Sequence, residues 1–489
     1  MDASGVAPVI EAALPKGVRP RQLCARTWLI AILLCLADGR PAHLSRAFEA
    51  LLRLPEADRA RLGVMGTWKS GPHLLTYRQV WHTSALVFAV VAKTRPDGQP
   101  SALLGGLADA LLEASVPAFA AKLSTSLAVD WTDLESFARP PLYDAGPSAD
   151  PDASWGHRRG NGPGQKDELF YGYYLSAATM AQDEGGPPAP EVVRRATLTS
   201  CHVDPVPAFV PVLEDMAATG AAIGDVLADS GYAHRVAQNW ALPLRAIGAK
   251  LVMDLHPADR GPRGTFSGAI CCNGNLYCPA VPPALLALGP LRRDASAEQG
   301  AAHDQKTAEL AHYKLSRVSA DDNDGYHRVA CPAVMGKLRC PLRAASMALS
   351  HTRPSVVSPP GQPPACCIQR TVTVPPGVNA KTAQKHDYPS AAWRKSYARR
   401  TAVERTYSTI KDPASNDISR GWCRLMGLAP LFVFVTCCLV VRNLRVLDAY
   451  AERQSAQARR AAAGLPPKRR RRRRKTIGDL VAAAPGAPP

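Results

Sequence analysis

The stretch YARRTAVERTYSTIK, Tyr397 to Lys411, sets one carboxylate, Glu404, among Arg399, Arg400, Arg405 and Lys411. No Gly or Pro interrupts it before Pro413, so the spacing predicts a helix. At about 100° per residue, Tyr397, Arg400, Glu404 and Lys411 fall within an arc of roughly 60°. Such a face suits a solvated helix with ion pairs of little worth. It also suits a carboxylate that holds a metal ion. Two further acids bear on the choice. Asp130 directly follows the apolar run SLAV, and Asp229 closes DVLADSGY before a turn. Buried strand ends rarely carry carboxylates without partners. Three converging carboxylates can hold hard divalent cations, Mg²⁺ first and Mn²⁺ in its place. A metal pair about 4 Å apart activates a nucleophile at a phosphodiester. Asp133, Asp150 and Asp152 compete with Asp130 for the first position. Asp204 reads as a helix N-cap, and His202 beside it as structural.

These residues need a scaffold. Residues 1–22 read as a flexible N-terminus, and 23–122 as an all-helical N-terminal domain that is the candidate for DNA binding. Its apolar-periodic runs include RTWLIAILLCLADG and LTYRQVWHTSALVFAVVAKT. From 123 the pattern changes. STSLAVDWTDLE predicts a buried strand ending at Asp130. LFYGYYLSAATMA (169–181) and EVVRRATLTS (191–200) predict two more. VPAFVPVLEDMAATG reads as a helix, DVLADSGY as a short strand, AHRVAQNWALPLRAIG as a helix and AKLVMDLH as a strand. This order suits an α/β fold, a mixed sheet flanked by helices. Asp130 and Asp229 then lie at C-terminal strand ends, where α/β sites usually form.

Residues 123–255 thus make the first part of the core. Residues 256–390, rich in Cys, Pro and Gly and poor in helix signals, read as a β-rich or irregular insertion. The core resumes over 391–451. Residues 452–489, with KRRRRRRK at Lys468 to Lys475, read as a basic disordered tail. The insertion's cysteines do not show the usual C-x2-4-C zinc spacing. Buried free thiols are the default there, and a structural Zn²⁺ on Cys278, Cys331, Cys340 and Cys366 is the alternative.

Composition narrows the partner. The chain has 489 residues and a formal net charge of +18, with pI ≈ 9.5, which points to a polyanion, nucleic acid first. The longest apolar run, Leu428 to Val441, is too short to span a bilayer, contains Pro430 and reads as a buried helix. No membrane partner is expected. The N-terminus lacks the layout of a signal peptide. The expected location is cytoplasmic and nucleoid-associated, with reduced cysteines.

AVDWT, DVLADSGYAHR and YARRTAVERTYSTIK together resemble the three catalytic segments of insertion-sequence DDE transposases with a ribonuclease-H-like catalytic domain. The last stretch fits the Y-x2-R-x3-E-x6-K signature of one subgroup, as Tyr397, Arg400, Glu404 and Lys411. The resemblance implies that Asp130, Asp229 and Glu404 bind metal and are catalytic. It implies that Tyr397, Arg400 and Lys411 hold DNA phosphates. The implied activity is metal-dependent cleavage at transposon ends followed by strand transfer. The implied partners are double-stranded DNA, as end repeats and target, and a second copy of the chain in the DNA complex. In related transposases the insertion can supply a Trp that stacks on a flipped base; here no Trp occurs between Trp240 and Trp393. The competing expectation is a catalytically inactive transposase-derived DNA-binding protein or repressor.

Overall fold

The apolar and alternating runs between 126 and 253 pair into one mixed six-stranded sheet. The computed structural model describes residues 1–16, 21, 23–41, 43–68, 71–92, 97–141, 146–158, 166–292 and 294–466, with backbone alone at 65–68 and 71–74. The basic run at 468–475 lies outside the described residues. The chain divides into two units, Met1–Leu444 and Arg445–Pro489.

The sheet strands are β1 (Ser126–Glu135), β2 (Ser154–Arg158), β3 (Glu168–Ala181), β4 (Val193–Ser200), β5 (Asp225–Ala228) and β6 (Lys250–Met253). β3 is the long central strand. It pairs antiparallel with β1 on one edge, and on the other with β2 and then β4. β5 pairs parallel with β1, and β6 parallel with β5. The parallel pairs need crossovers. Helix Pro205–Ala218 supplies the first, and its N-cap is Asp204, whose carboxylate accepts the Val206 amide at 3.1 Å. The fold is therefore α/β, a mixed sheet flanked by helices. β2, which follows a Pro- and Gly-rich loop, has no counterpart in the sequence reading.

Several expectations need correction. β1 does not end at Asp130 but runs to Glu135, because β3 pairs with it along its whole length. Its parallel pairing with β5 covers only Leu127 and Ala128. Asp130 thus sits where one edge of β1 opens. The segment from Ala233 to Gly248 is not one helix. It breaks into a turn, a 3₁₀ turn Ala237–Asn239 and a helix Ala241–Ala246, because Trp240 leaves helical geometry. Its ring packs on Tyr232 at 4.5 Å.

The N-terminus is not loose: helix Val6–Ala13 buries Val6 and Ile10, with Leu14 just beyond it. The following region is not all helical, because Met65–Trp68 and Gly71–Leu74 pair as a hairpin. Nor does it form a core of its own. Trp28, Leu29, Val80, Val87 and Leu111 belong to the same hydrophobic cluster as the sheet residues Leu127, Val129 and Leu198.

The insertion holds two three-stranded sheets and two small hydrophobic cores. It also holds a 17-residue helix, Ala297–Tyr313. Ser296 and Gln299 close that helix with a capping box.

The final helix, Leu428–Ala462, is continuously buried from Leu428 to Asn443. Its apolar window, mean hydropathy 1.8, is long enough to cross a membrane by length and composition, yet 72% of it is buried inside the protein. Asn443, fully buried, fastens it to the sheet edge. Its side chain accepts the Val193 amide at 2.7 Å and donates to the Val193 carbonyl at 2.8 Å. The helix runs to Ala462, so 452 is not where order ends. Past Pro430, in its first turn, no Gly or Pro interrupts it before Gly464.

Candidate active site

The Tyr397–Lys411 stretch is helical as its composition predicts, but in two pieces. Helix Ala391–Tyr397 passes through a 3₁₀ turn, Ala398–Arg400, into helix Thr401–Ile410. The second helix lies across β1 and β3. Thr406 Oγ1 meets Thr179 Oγ1 at 3.0 Å. The Tyr407 hydroxyl reaches the Asp130 carbonyl at 2.6 Å and the Leu175 carbonyl at 3.1 Å. These contacts lay the charged helical face along β1.

Arg400 stands at the centre. Its guanidinium donates to Asp130 Oδ2 at 2.8 Å and also pairs with Glu404. It lies 5.8 Å from the Tyr397 ring centroid, within cation–π reach. Although burial works against its charge, Tyr397, Asp130, Glu404 and Asp229 together raise the Arg400 pKa. Two of the three expected acids therefore pair with one cation, and the charge of the third, Asp229, also acts on it.

Asp130 accepts the Trp131 amide at 2.9 Å through its other oxygen. Burial, and then the Asp229 charge, push its carboxyl up to about 7 against the pull of Arg400. The site is thus short of positive charge. Asp229 caps the turn Ser230–Ala233, accepting the Gly231 amide at 2.9 Å. Gly231 is required there. A Cβ would meet the Trp131 ring at 2.3 Å and the Asp229 carboxylate at 3.1 Å. The D-S-G-Y sequence thus brings the second acid beside the first without clashing with the Trp of AVDWT. Glu404 is the most open acid, its side chain 46% exposed.

The flanking residues divide. Tyr397 is near Arg400 and stacks on Trp393 at 4.9 Å. Lys411 is not beside the acids. Its ammonium donates to Thr132 Oγ1 at 2.7 Å and to the Asp133 carbonyl at 2.9 Å, further along β1. Burial lowers its pKa, against the opposing charge of Asp133.

The competing acids have structural partners. Asp133 pairs with Arg158 and Lys411. Asp150, fully buried, accepts from Ser136 and Tyr173 at 2.6 Å each and from the Gly427 amide at 3.1 Å. Asp152 accepts the Leu428 amide at 2.9 Å, at the start of the final helix. His202 is held against Ser154 and Ser200 by its Nδ1.

Cys278, Cys331, Cys340 and Cys366 are all buried. Burial pushes the Cys278 thiol up to about 12. Among the described residues these thiols do not form a group of three within metal-ligating distance, whereas His234, His256 and Asp259 do. The sequence reading passed over that trio. The spacing D-S-G-Y-A-H places His234 just after Asp229 but gives no hint of His256. Tyr407 was also missed, though it lies inside the quoted stretch.

No family model matches this chain, and no curated protein matches it.

Proposed function

We propose that the chain is a DDE transposase that cleaves transposon ends and transfers the strand to target DNA. The observation that carries this reading is the gathering of Asp130, Asp229 and Glu404 around Arg400, on an open edge of β1. The sheet supports a ribonuclease-H-like catalytic domain: four strands in antiparallel pairing, then two parallel ones reached through helical crossovers, with the Glu404 helix packed on β1 and β3. The net charge of +18 suits a DNA partner.

The donor set fits Mg²⁺, because all three side chains offer oxygen and one guanidinium, Arg400, stands against three carboxylates. When bound there, divalent ions supply an activated nucleophile and charge for the leaving oxygen. Asp130 and Asp229 would hold them from rigid positions, one in mid-strand and one at a helical turn. Glu404, more exposed, would complete the set from the neighbouring helix. Arg400 holds Asp130 and Glu404 in place and would turn to a DNA phosphate, with Tyr397 packed beneath it. Lys411 braces β1 and lies on the same face for backbone contact.

The test compares wild type with Glu404→Gln on DNA carrying the element's own ends, at fixed salt. Wild type is expected to cut and join in Mg²⁺. The variant is expected to bind with similar affinity and not to cut. If both bind and neither cuts with any metal, an inactive DNA-binding protein becomes the better reading.

A further inference from the structure

We propose that His234, His256 and Asp259 form a binding site for a divalent transition-metal ion of the zinc class, separate from the three acids. One ligand atom from each residue lies within 4.8 Å of the other two. The two imidazole rings face each other with centroids 4.0 Å apart. Asp259 Oδ2 is buried, 3.7 Å from His234 Nδ1 and 2.7 Å from Lys381 Nζ. Its partner oxygen, Oδ1, accepts from Lys381 Nζ at 2.8 Å. Lys381 thus sits against both oxygens and fixes the carboxylate beside the imidazoles, as outer partners of metal ligands do, and a metal would share Oδ2 with it. Around a tetrahedral zinc, ligand atoms stand about 3.3 Å apart. Small rotations of the exposed His234 side chain close the remaining gap.

The ligand chemistry selects the ion. Two imidazoles and one carboxylate favour zinc-like ions over Mg²⁺, which prefers oxygen alone. Three protein ligands leave a fourth position open. His234 and His256 line a cleft of about 650 Å³ together with Trp131, His157, Tyr174 and His202. A water or a phosphate oxygen has room to take that position.

Placement gives the site its consequence. His234 ends the turn that begins at Asp229. His256 caps the 3₁₀ turn Pro257–Asp259 through Nδ1, which accepts the Ala258 amide at 3.2 Å, so that Nε2 is the nitrogen that would meet a metal, and Asp259 ends that turn, where the insertion leaves the core. Lys381 lies near the insertion's return. A metal here would clamp the neck of the insertion to the turn that carries Asp229. The inference rests on these side chains and does not require the transposase reading.

The test is Zn²⁺ titration of the full chain by calorimetry in excess Mg²⁺, which keeps the oxygen-rich site filled. Co²⁺ absorption then reports the ligand type. Wild type is expected to bind zinc, and His234→Ala and His256→Gln to weaken it about tenfold or more. Asp130→Asn and Cys278→Ser are expected to keep it. Should His234→Ala fail to fold, Asp259→Asn and His256→Gln carry the same comparison. Wild type that takes up no zinc overturns the proposal. So does full affinity in the His and Asp259 variants, or loss of binding in Cys278→Ser alone.

Discussion

Replacing Asp130 by Asn should stabilise the metal-free protein at alkaline pH and remove its response to Mg²⁺. Asp130 is buried beside Asp229, and its carboxyl is pushed up to about 7 from an ordinary 3.8. A carboxyl raised in the folded state holds its proton more tightly there than when unfolded. Its ionisation therefore costs stability. The penalty is absent below about pH 3.8, grows as pH rises and is complete above about pH 7. Three units at about 1.4 kcal/mol each give up to about 4 kcal/mol. Asn keeps an acceptor for Arg400 and discards the charge. Urea unfolding in EDTA should thus show wild type losing stability between about pH 4 and pH 8, with Asp130→Asn losing much less. If the acids bind Mg²⁺, saturating ion at pH 8 should return about 2.7 kcal/mol to wild type at a hundredfold excess over Kd. The variant should gain little. Equal pH slopes in the two proteins would refute the burial argument. Equal gains from Mg²⁺ would refute Asp130 as a ligand.

Further outcomes follow from other contacts. Gly172 on β3 lies between Glu135 and Ser154, and a Cβ there would meet the Leu134 carbonyl oxygen at 2.1 Å. Gly172→Ala should cost about 3 kcal/mol in urea unfolding, because backbone cannot yield as a side chain does. Burial pushes the Asp109 carboxyl up to about 6 against the charge of Arg195. Its penalty is present above about pH 6 and gone below about pH 3.8, so Asp109→Asn should stabilise by up to about 3 kcal/mol at pH 8 and not at pH 3.5. Tyr407→Phe removes the hydroxyl that faces the Asp130 and Leu175 carbonyls. It should cost about 1–2 kcal/mol, while Mg²⁺ still stabilises the variant.

The acids were legible because apolar context marks them. Asp130 follows SLAV, Asp229 follows DVLA, and both strands form. The strand end at Asp130 was misread because strand length depends on a distant partner. WTDLE alternates poorly, yet β3 pairs with it to Glu135. The N-terminal helix was missed although Val6, Ile10 and Leu14 repeat at helical spacing, because the run is short, is bounded by Gly5 and Pro15 and contains Pro8. The insertion's long helix carries the signal S-x-x-Q at Ser296, easily lost among Pro, Gly and Cys. His256 and Asp259 were beyond reach. They meet His234 only because β5 and β6 run parallel and bring their following turns to the same end of the sheet.

The basic residues around Glu404 do unequal work. Arg399 donates to Asp225 at 2.7 Å and to the Gln182 carbonyl at 3.0 Å, closing the start of the sheet. Arg405 pairs with Glu191, and Lys411 with Thr132 and Asp133. Arg400 alone among these four bridges two of the candidate acids. Three carboxylates against one guanidinium leave two negative charges uncompensated once Asp130 has lost its proton. A divalent cation bound there would restore that balance, and in doing so would weaken the hold of Asp130 and Glu404 on Arg400. The guanidinium that pairs with Asp130 and Glu404 would then be free to turn toward the solvent edge, where a phosphate is the partner the proposed function supplies. If the chain binds metal and DNA as proposed, the two would be coupled through one side chain, by charge count and geometry at the open edge of β1.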